Sequence, residues 1–471
     1  PPGGTSEPDL SLRPEDLVSS EGIGPPDPAG KPAATGRSPS ALSRAALAPH
    51  AGGLERTYES ISELGRGGVG VVNLARHRLL DREVAIKSVN PQTRRTVSRR
   101  SLLREAAAVA ALEHPNIVPA YDVVVDLLGE PHIVLRRIEG RTWLEYLLLP
   151  SAITTDFNAR DLLGWHLGIL EQICNAIQHA HSRGVLHRDI KPDNVMIGLH
   201  GEVYVLDWGL AVRFNDQGPA RLPLAHDDRR IVGTPRYMSP EMALGDGPRL
   251  GPHTDVYLLG GLLYAVLSGR GPHPGATAAE TLANVPRFTP QIPDTAPERL
   301  VEIVAKAMAA EPADRYPTVD ALKHALVTFR EQRQALDLAH EAGERLRALD
   351  EALTAETIDR QAVYRSFGAA RFGYQQALRA WPGLAEAETG LSAAFIRMVR
   401  YELGAGDPRA ASVLLDQMTH PPDDLVARRA LLVASQRAAA EAEARERADR
   451  DPTLGQRTRI FVFSVVMVTW A

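Results

Sequence analysis

From Tyr58 onward, hydrophobic and polar positions alternate in short runs at 58–64, 71–76, 83–89, 121–126 and 131–135. A period of two turns one face to a core and the other to water, so each run predicts a β-strand. Between the third and fourth runs, Ser101 to Leu112 is alanine-rich and predicts a helix. Five strands with one inserted helix make a small α+β unit. After Gly140 the pattern lengthens, and segments 161–182, 255–268 and 297–310, punctuated by Gly and Pro, predict a mainly helical lobe. From about 331 to 456 the chain is rich in Ala, Glu, Arg and Leu, with apolar spacings of three and four, which predicts consecutive helices.

The two ends read differently. Residues 1–57 contain no Phe, Trp or Tyr and ten prolines before position 50, which predicts a disordered leader. The leader begins without Met and lacks the apolar run of about 7 to 15 residues that a signal peptide needs, so the chain reads as a fragment and secretion is not expected. At the other end Ile460 to Ala471 carries no charge and follows Arg457 and Arg459. It is shorter than the roughly 20 residues of a membrane span. The expectation for 457–471 is the start of a truncated transmembrane helix, its arginines on the cytoplasmic side.

Composition narrows the picture. The 471 residues are 44% hydrophobic and 24% charged, enough for two or three folded units and unlike a multi-span membrane protein. The net charge of -5 gives no reason to expect a nucleic-acid partner. One cysteine, Cys174, excludes an internal disulfide and a multi-thiolate zinc site, and reads as a small buried residue. Lysine stands at only five positions among 53 basic residues, so a lysine within a motif points to a need for a compact ammonium.

Leu64 to Val72 reads LGRGGVGVV, with Gly65, Gly67 and Gly70 in a GxGxxG pattern flanked on both sides by β-type residues. That context suits a hairpin lying close over phosphates. Leu64, Val72 and Ala85 join the glycines as nucleotide-binding candidates. Val84 to Lys87 spells VAIK, and Lys87 is positioned to bind the α and β phosphates of ATP if a carboxylate holds it. Glu105 is the candidate partner; Glu113 is the alternative, disfavoured because His114 and Pro115 should end the helix there. His187 to Asn194 reads HRDIKPDN. Asp189 would orient or accept the proton of an attacking hydroxyl, Lys191 would neutralise charge on the transferring phosphoryl group, and Asn194 would hold a metal. Asp207, followed by Trp208 and Gly209, would bind Mg²⁺, with Mn²⁺ an alternative.

In order and spacing these motifs resemble a protein kinase of the eukaryotic-like type found in bacteria, over residues 58 to about 330. The resemblance implies a bilobal protein kinase fold, with a β-rich small lobe over 58–140, a helical large lobe over 141–330, and ATP between them. It implies that Thr234, in GTPRYMSPE, braces Asp189 and Lys191, that Asp255 anchors the central large-lobe helix, and that Arg315 partners Glu241. It further implies that Leu135 closes the back of the adenine pocket, with the backbone of Arg136 and Ile138 bonding the base. Lys191 together with Thr234 is the pattern of Ser/Thr rather than Tyr kinases, so protein Ser/Thr hydroxyls are the expected acceptors.

Two departures stand out. Trp208 replaces the usual Phe after the metal-binding Asp, and its bulk should restrict flipping of that segment. Between Gly209 and Gly233 there is no Ser, Thr or Tyr, while Asp227 and Asp228 stand where a phosphorylated residue would face Arg188. A fixed carboxylate, Asp228 in preference, is expected to replace the phosphate. The rival to a kinase is a pseudokinase or scaffold that binds nucleotide without turnover, but Lys87, Asp189, Asn194 and Asp207 are all present. Within 331–456, Tyr374, Ala377 and Pro382 resemble the second helix of a tetratricopeptide repeat; a plain helical stalk or coiled coil is the alternative. That segment reads as a linker or a platform for a protein partner. Pairing of two kinase domains as a homodimer is left open. The whole reads as a cytoplasmic kinase anchored to a bacterial inner membrane near Ile460.

Overall fold

The structure is a computed structural model that describes residues 53–66, 70–90 and 96–450, the side chains of 96–98 and 448–450 excepted. It opens with a short helix α1 (Gly53–Thr57), which falls inside the expected leader. Leu54 of α1 explains the difference, because it packs on an apolar sheet face that would otherwise meet water.

That sheet consists of β1 (Tyr58–Arg66), β2 (Gly70–His77), β3 (Arg82–Val89), β4 (Ala120–Val125) and β5 (Pro131–Arg136). It is antiparallel in the order β1-β2-β3-β5-β4. Alternation splits its side chains between two cores. Val84, Ile86, Ala75 and Val134 face Leu54, while Ala85, Ile133 and Leu135 face Leu102 and Ala106 of helix α2 (Thr96–Ala111). α2 begins five residues before the predicted start, where the Ser/Arg-rich turn offers no apolar period. At Gly70 a Cβ would lie 2.8 Å from the Ser88 carbonyl oxygen, so only glycine lets β2 approach β3 beside Lys87.

The larger lobe begins with β6 (Gly140–Thr142), α3 (Trp143–Leu148), α4 (Pro150–Phe157) and α5 (Leu162–Ser182). Short strands follow: β7 (Val185–Leu186), β8 (Val195–Gly198), β9 (Val203–Val205) and β10 (Val212–Arg213). Strands β6, β8 and β9 form one small sheet, and β7 pairs with β10. Helices α6 (Pro240–Ala243), α7 (Pro252–Ser268), α8 (Ala278–Asn284) and α9 (Glu298–Ala307) complete the lobe. α7 is apolar around its whole circumference because the core encloses it, and Gly269, at φ 71°, ends it in the left-handed conformation. Arg315 clamps Glu241 through two bonds of 2.8 and 3.0 Å in full burial, joining α6 to the end of the lobe. Cys174 is buried in α5, and burial pushes its thiol up to about 12, which leaves it inert at neutral pH.

Helix α10 (Val319–Thr354) is continuous across Arg330, where the chain divides into two compact units. In the second unit the remainder of α10 is followed by α11 (Arg360–Ala380), α12 (Ala385–Gly404), α13 (Pro408–Leu415) and α14 (Asp423–Arg450). α11 and α12 are antiparallel: Tyr374 and Ala377 near the end of α11 meet Leu384 and Ala387, while Val363 and Phe367 near its start meet Phe395 and Met398. Residues 360–415 therefore pack side by side rather than as a stalk, whereas every described side chain from Ala434 to Arg447 is exposed. Among the described residues no helix is long and apolar enough to cross a membrane. The span expected at 457–471 lies outside the described residues.

Candidate active site

The cleft is built from β3 and α2 on one side and from the loops after β7 and β9 on the other. β3 places Lys87 on the cleft-facing side, where its ammonium lies 2.7 Å from Glu105 Oε2 and 2.9 Å from Oε1. Glu105 is thus the partner, whereas Glu113 is exposed beyond the end of α2. The same ammonium reaches Asp207 Oδ1 at 3.0 Å. Side-chain exposures of 13% for Lys87, 4% for Glu105 and 46% for Asp207 describe a closed ion pair with a carboxylate that opens to the cleft. Burial opposes the Lys87 charge, but Asp207 and Glu105 outweigh it and hold the group above the ordinary lysine range. Burial likewise opposes the Asp207 charge, and Lys87 overcomes it, holding that carboxyl down at about 2.

The loop between β7 and β8 carries the other cluster. His187 Nδ1 accepts the Asp189 backbone N–H at 3.1 Å, so Nε2 carries the proton and donates to the Leu206 carbonyl at 3.1 Å. The Asp255 carboxylate at the start of α7 accepts the backbone N–H groups of His187 at 2.9 Å and Arg188 at 3.0 Å. Thr234 donates to Asp189 Oδ1 through its hydroxyl at 2.8 Å and its backbone N–H at 3.1 Å, and Lys191 donates to the Thr234 hydroxyl at 2.7 Å. The Asn194 amide donates to the Asp189 carbonyl at 2.7 Å and to its Oδ2 at 3.0 Å. Arg188 and Asp207 adopt φ values of +71° and +55°, a strained conformation for residues with a side chain, held here by the bonds just described.

Asn194 and Asp207 fit a hard divalent cation by the chemistry of their donors. The amide nitrogen of Asn194 is committed to Asp189, which leaves its carbonyl oxygen, and the bonds of Asp207 all fall on Oδ1, which leaves Oδ2. Two oxygens suit an ion that keeps water and phosphate as its remaining ligands.

The remaining nucleotide-binding candidates that the structure describes lie on or directly after strands of the same five-stranded sheet. Ala85 pairs with Leu135 across β3 and β5, both buried with Val72 and Ile138 in one cluster. The Arg136 N–H is taken by the Pro119 carbonyl at 3.0 Å, which leaves its carbonyl rather than its N–H for a base. Leu64 is half exposed, and a Cβ at Gly65 would meet open space. Gly67 lies outside the described residues. Trp208 is fully buried, its ring 4.4 Å from that of His187.

Of the two acidic candidates after Gly209, Asp228 meets Arg188, with Oδ2 at 2.8 Å from Nη1; Asp227 is exposed and pairs with His226. Sequence reasoning missed Arg230, which grips Asp228 at 2.8 and 2.7 Å, and Arg104, whose half-buried charge interacts with the same carboxylate without a direct bond. The order Asp-Asp-Arg-Arg over 227–230 was the available signal for Arg230; for Arg104 there was none. Sequence reasoning also missed Ser101, whose hydroxyl donates to the Gly209 carbonyl at 3.1 Å and ties α2 to the segment after Asp207.

A family model described as the protein kinase domain matches residues 58–327. The chain belongs to the protein kinase family. Similar curated proteins include the serine/threonine-protein kinase PknD of Chlamydia trachomatis, 33% identical over 297 residues that cover 58% of this chain and 31% of that protein. PknD of Protochlamydia amoebophila is 33% identical over 304 residues, covering 59% and 30%, and PknD of Chlamydia abortus 34% over 288 residues, covering 56% and 30%. The resemblance to bacterial Ser/Thr kinases drawn from the motifs is thereby borne out. The matched part of this kinase spans just under a third of the length of those relatives.

Proposed function

We propose that the chain is an ATP-dependent serine/threonine protein kinase. The convergence of Lys87, Glu105, Asp189, Asn194 and Asp207 on one cleft carries this reading. Lys87, fixed by Glu105, binds the phosphates of ATP. Asp189, held by Thr234 and Asn194, orients the acceptor hydroxyl and takes its proton as the hydroxyl oxygen bonds to the γ-phosphorus and the bond to the leaving ADP oxygen breaks. Lys191 offsets charge on the phosphoryl group in transit. Asn194 and Asp207 would hold Mg²⁺, which when bound neutralises phosphate charge. Names of the relatives and the Lys191–Thr234 pair support Ser and Thr as acceptors in protein substrates.

The test is transfer of labelled phosphate from ATP to a protein panel by the chain, with Asp189→Asn as control. Phosphoserine and phosphothreonine formed by the wild type, and lost in the control, are expected. No transfer by the wild type, or equal transfer by the control, overturns the reading.

The wider role we propose is membrane-linked bacterial signalling, with the second unit as linker or protein-docking platform and a span beginning near Ile460. Fractionation of the full-length gene product tests it; recovery wholly in the soluble fraction overturns the anchor.

A further inference from the structure

Arg188 is a buried cation that cannot shed its charge, and it immediately precedes the proposed base. Its exposure is 2%, its backbone is left-handed, and two carboxylates hold it: Asp255 at the N–H and Asp228 at the guanidinium. A guanidinium at that depth is tolerated only when paired. Among the described residues Asp228 is the one carboxylate that forms an ion pair with it.

Asp228 is itself fixed. Its N–H donates to the Ala225 carbonyl at 3.0 Å, and its carboxylate accepts the Arg230 N–H at 3.1 Å and two guanidinium bonds from Arg230 at 2.8 and 2.7 Å. A Cβ at Gly247 would come within 2.4 Å of the Asp228 carbonyl oxygen, so the backbone of the segment is seated against that turn. The third cation comes from α2. Arg104 makes no ion pair among the described residues, and burial, followed by the charge of Arg230, pushes it down to about 10 while Asp228 counteracts. It directly precedes Glu105, the partner of Lys87. Two guanidinium groups, from the Asp189 loop and the segment after Gly209, thus bind one carboxylate, and the charge of Arg104 on α2 interacts with it without a direct bond. The segment Leu210–Val232 has no hydroxyl side chain to which phosphate could be added.

We propose that Asp228 is a positioning residue, a permanent counter-ion that holds Asp189 in place through Arg188, so that turnover does not depend on phosphorylation of this segment. The proposal rests on the kinase reading above. Loss of the charge should let the Arg188 turn shift, and a displacement of about 1 Å at a catalytic group lowers turnover by up to about 100-fold.

The experiment uses the full chain treated with a protein phosphatase, as wild type, Asp228→Asn, Asp228→Glu, Asp227→Asn, Arg188→Gln and the Arg188→Gln/Asp228→Asn double variant, with kcat, the KM for ATP and binding of a fluorescent ATP analogue measured. The wild type and Asp227→Asn should keep full kcat after dephosphorylation. Asp228→Asn should lose about 10- to 100-fold in kcat with KM for ATP moved less than about threefold, and Asp228→Glu should recover part of the loss. The double variant should lose little more than the worse single one, because both remove the same contact. Loss of wild-type activity on dephosphorylation overturns the proposal without any variant. So does an Asp228→Asn protein with wild-type kcat, or a double variant whose losses multiply. Absence of phosphate transfer by the untreated wild type sinks the kinase reading instead.

Discussion

The ammonium of Lys191 lies 2.7 Å from the hydroxyl of Thr234, a residue 43 positions further along the chain. That hydroxyl passes its own hydrogen to Asp189. One small side chain therefore sets the distance between a cation and the proposed base, and it does so with a donor and an acceptor at once. Thr234→Ala should lower kcat by about 10- to 100-fold, while Thr234→Ser, which keeps the oxygen, should stay within about threefold. Steady-state phosphate transfer separates the two outcomes; equal loss in both variants would assign the effect to the methyl group.

Trp208 fills its site completely but leaves its indole N–H without a partner among the described residues. Phe in its place removes that unpaired donor along with some volume, two changes of opposite sign. Trp208→Phe should alter the unfolding free energy by less than about 1.5 kcal/mol and leave activity in place. Trp208→Ala, which opens a cavity, should cost about 3–5 kcal/mol in urea unfolding.

His166 and His273 should make the larger lobe sensitive to acid. Burial holds both imidazoles down at about 4, from an ordinary 6.5. His166 Nδ1 accepts the Trp143 indole N–H at 2.9 Å, and a proton there would displace that bond. His273 Nε2 is 2.9 Å from the Met238 carbonyl, and its Nδ1 is buried with no partner among the described residues for a second N–H. Both folded values lie below the unfolded one, so the unfolded chain takes up protons first. Their contribution is complete above about pH 6.5 and is lost as pH falls toward 4, by about 2–3 kcal/mol for each residue. Urea unfolding followed by tryptophan fluorescence across that range checks this, and His273→Gln should flatten the slope. An unchanged slope refutes the assignment to His273.

In the second unit, Gly390 of α12 lies beneath the ring of Tyr374, so that a Cβ would stand 2.2 Å from Cζ. Tyr374 is buried, packed in one apolar cluster with Ala377, Leu384 and Ala387. Alanine normally favours a helix over glycine by about 1 kcal/mol. Here the clash should win, and Gly390→Ala should destabilise the unit by about 1–3 kcal/mol, read by helical circular dichroism on urea titration. A more stable variant would show that the two helices can separate freely.

Most of the chemistry was legible before the fold, because the groups that handle phosphate are drawn from few residue types at short local spacings. Gly70, Lys87, Asp189, Asn194 and Asp207 each stand inside a run whose neighbours declare strand or loop. The five sheet strands were legible for a related reason, since burial of one face imposes a period of two on the residues themselves. Less accessible were relationships in which local evidence favours no particular partner. Asp227 and Asp228 are adjacent and chemically identical, and only the turn over Ala225–Asp228 buries the second against Arg188 while leaving the first in water. Nothing near Arg104 shows that its charge will interact with the same carboxylate from another element.

The amino-acid order by itself determined the local conformations and the reactive groups, since both follow from the covalent nature of each residue and its nearest neighbours. Tertiary structure alone decided which of those groups meet: Asp207 at Lys87, Ser101 at the Gly209 carbonyl, and Tyr374 over Gly390. The physical reason is that a contact between distant positions exists only after the chain has closed a long loop, and the burial that repays the lost entropy is shared over the whole core rather than written at either position.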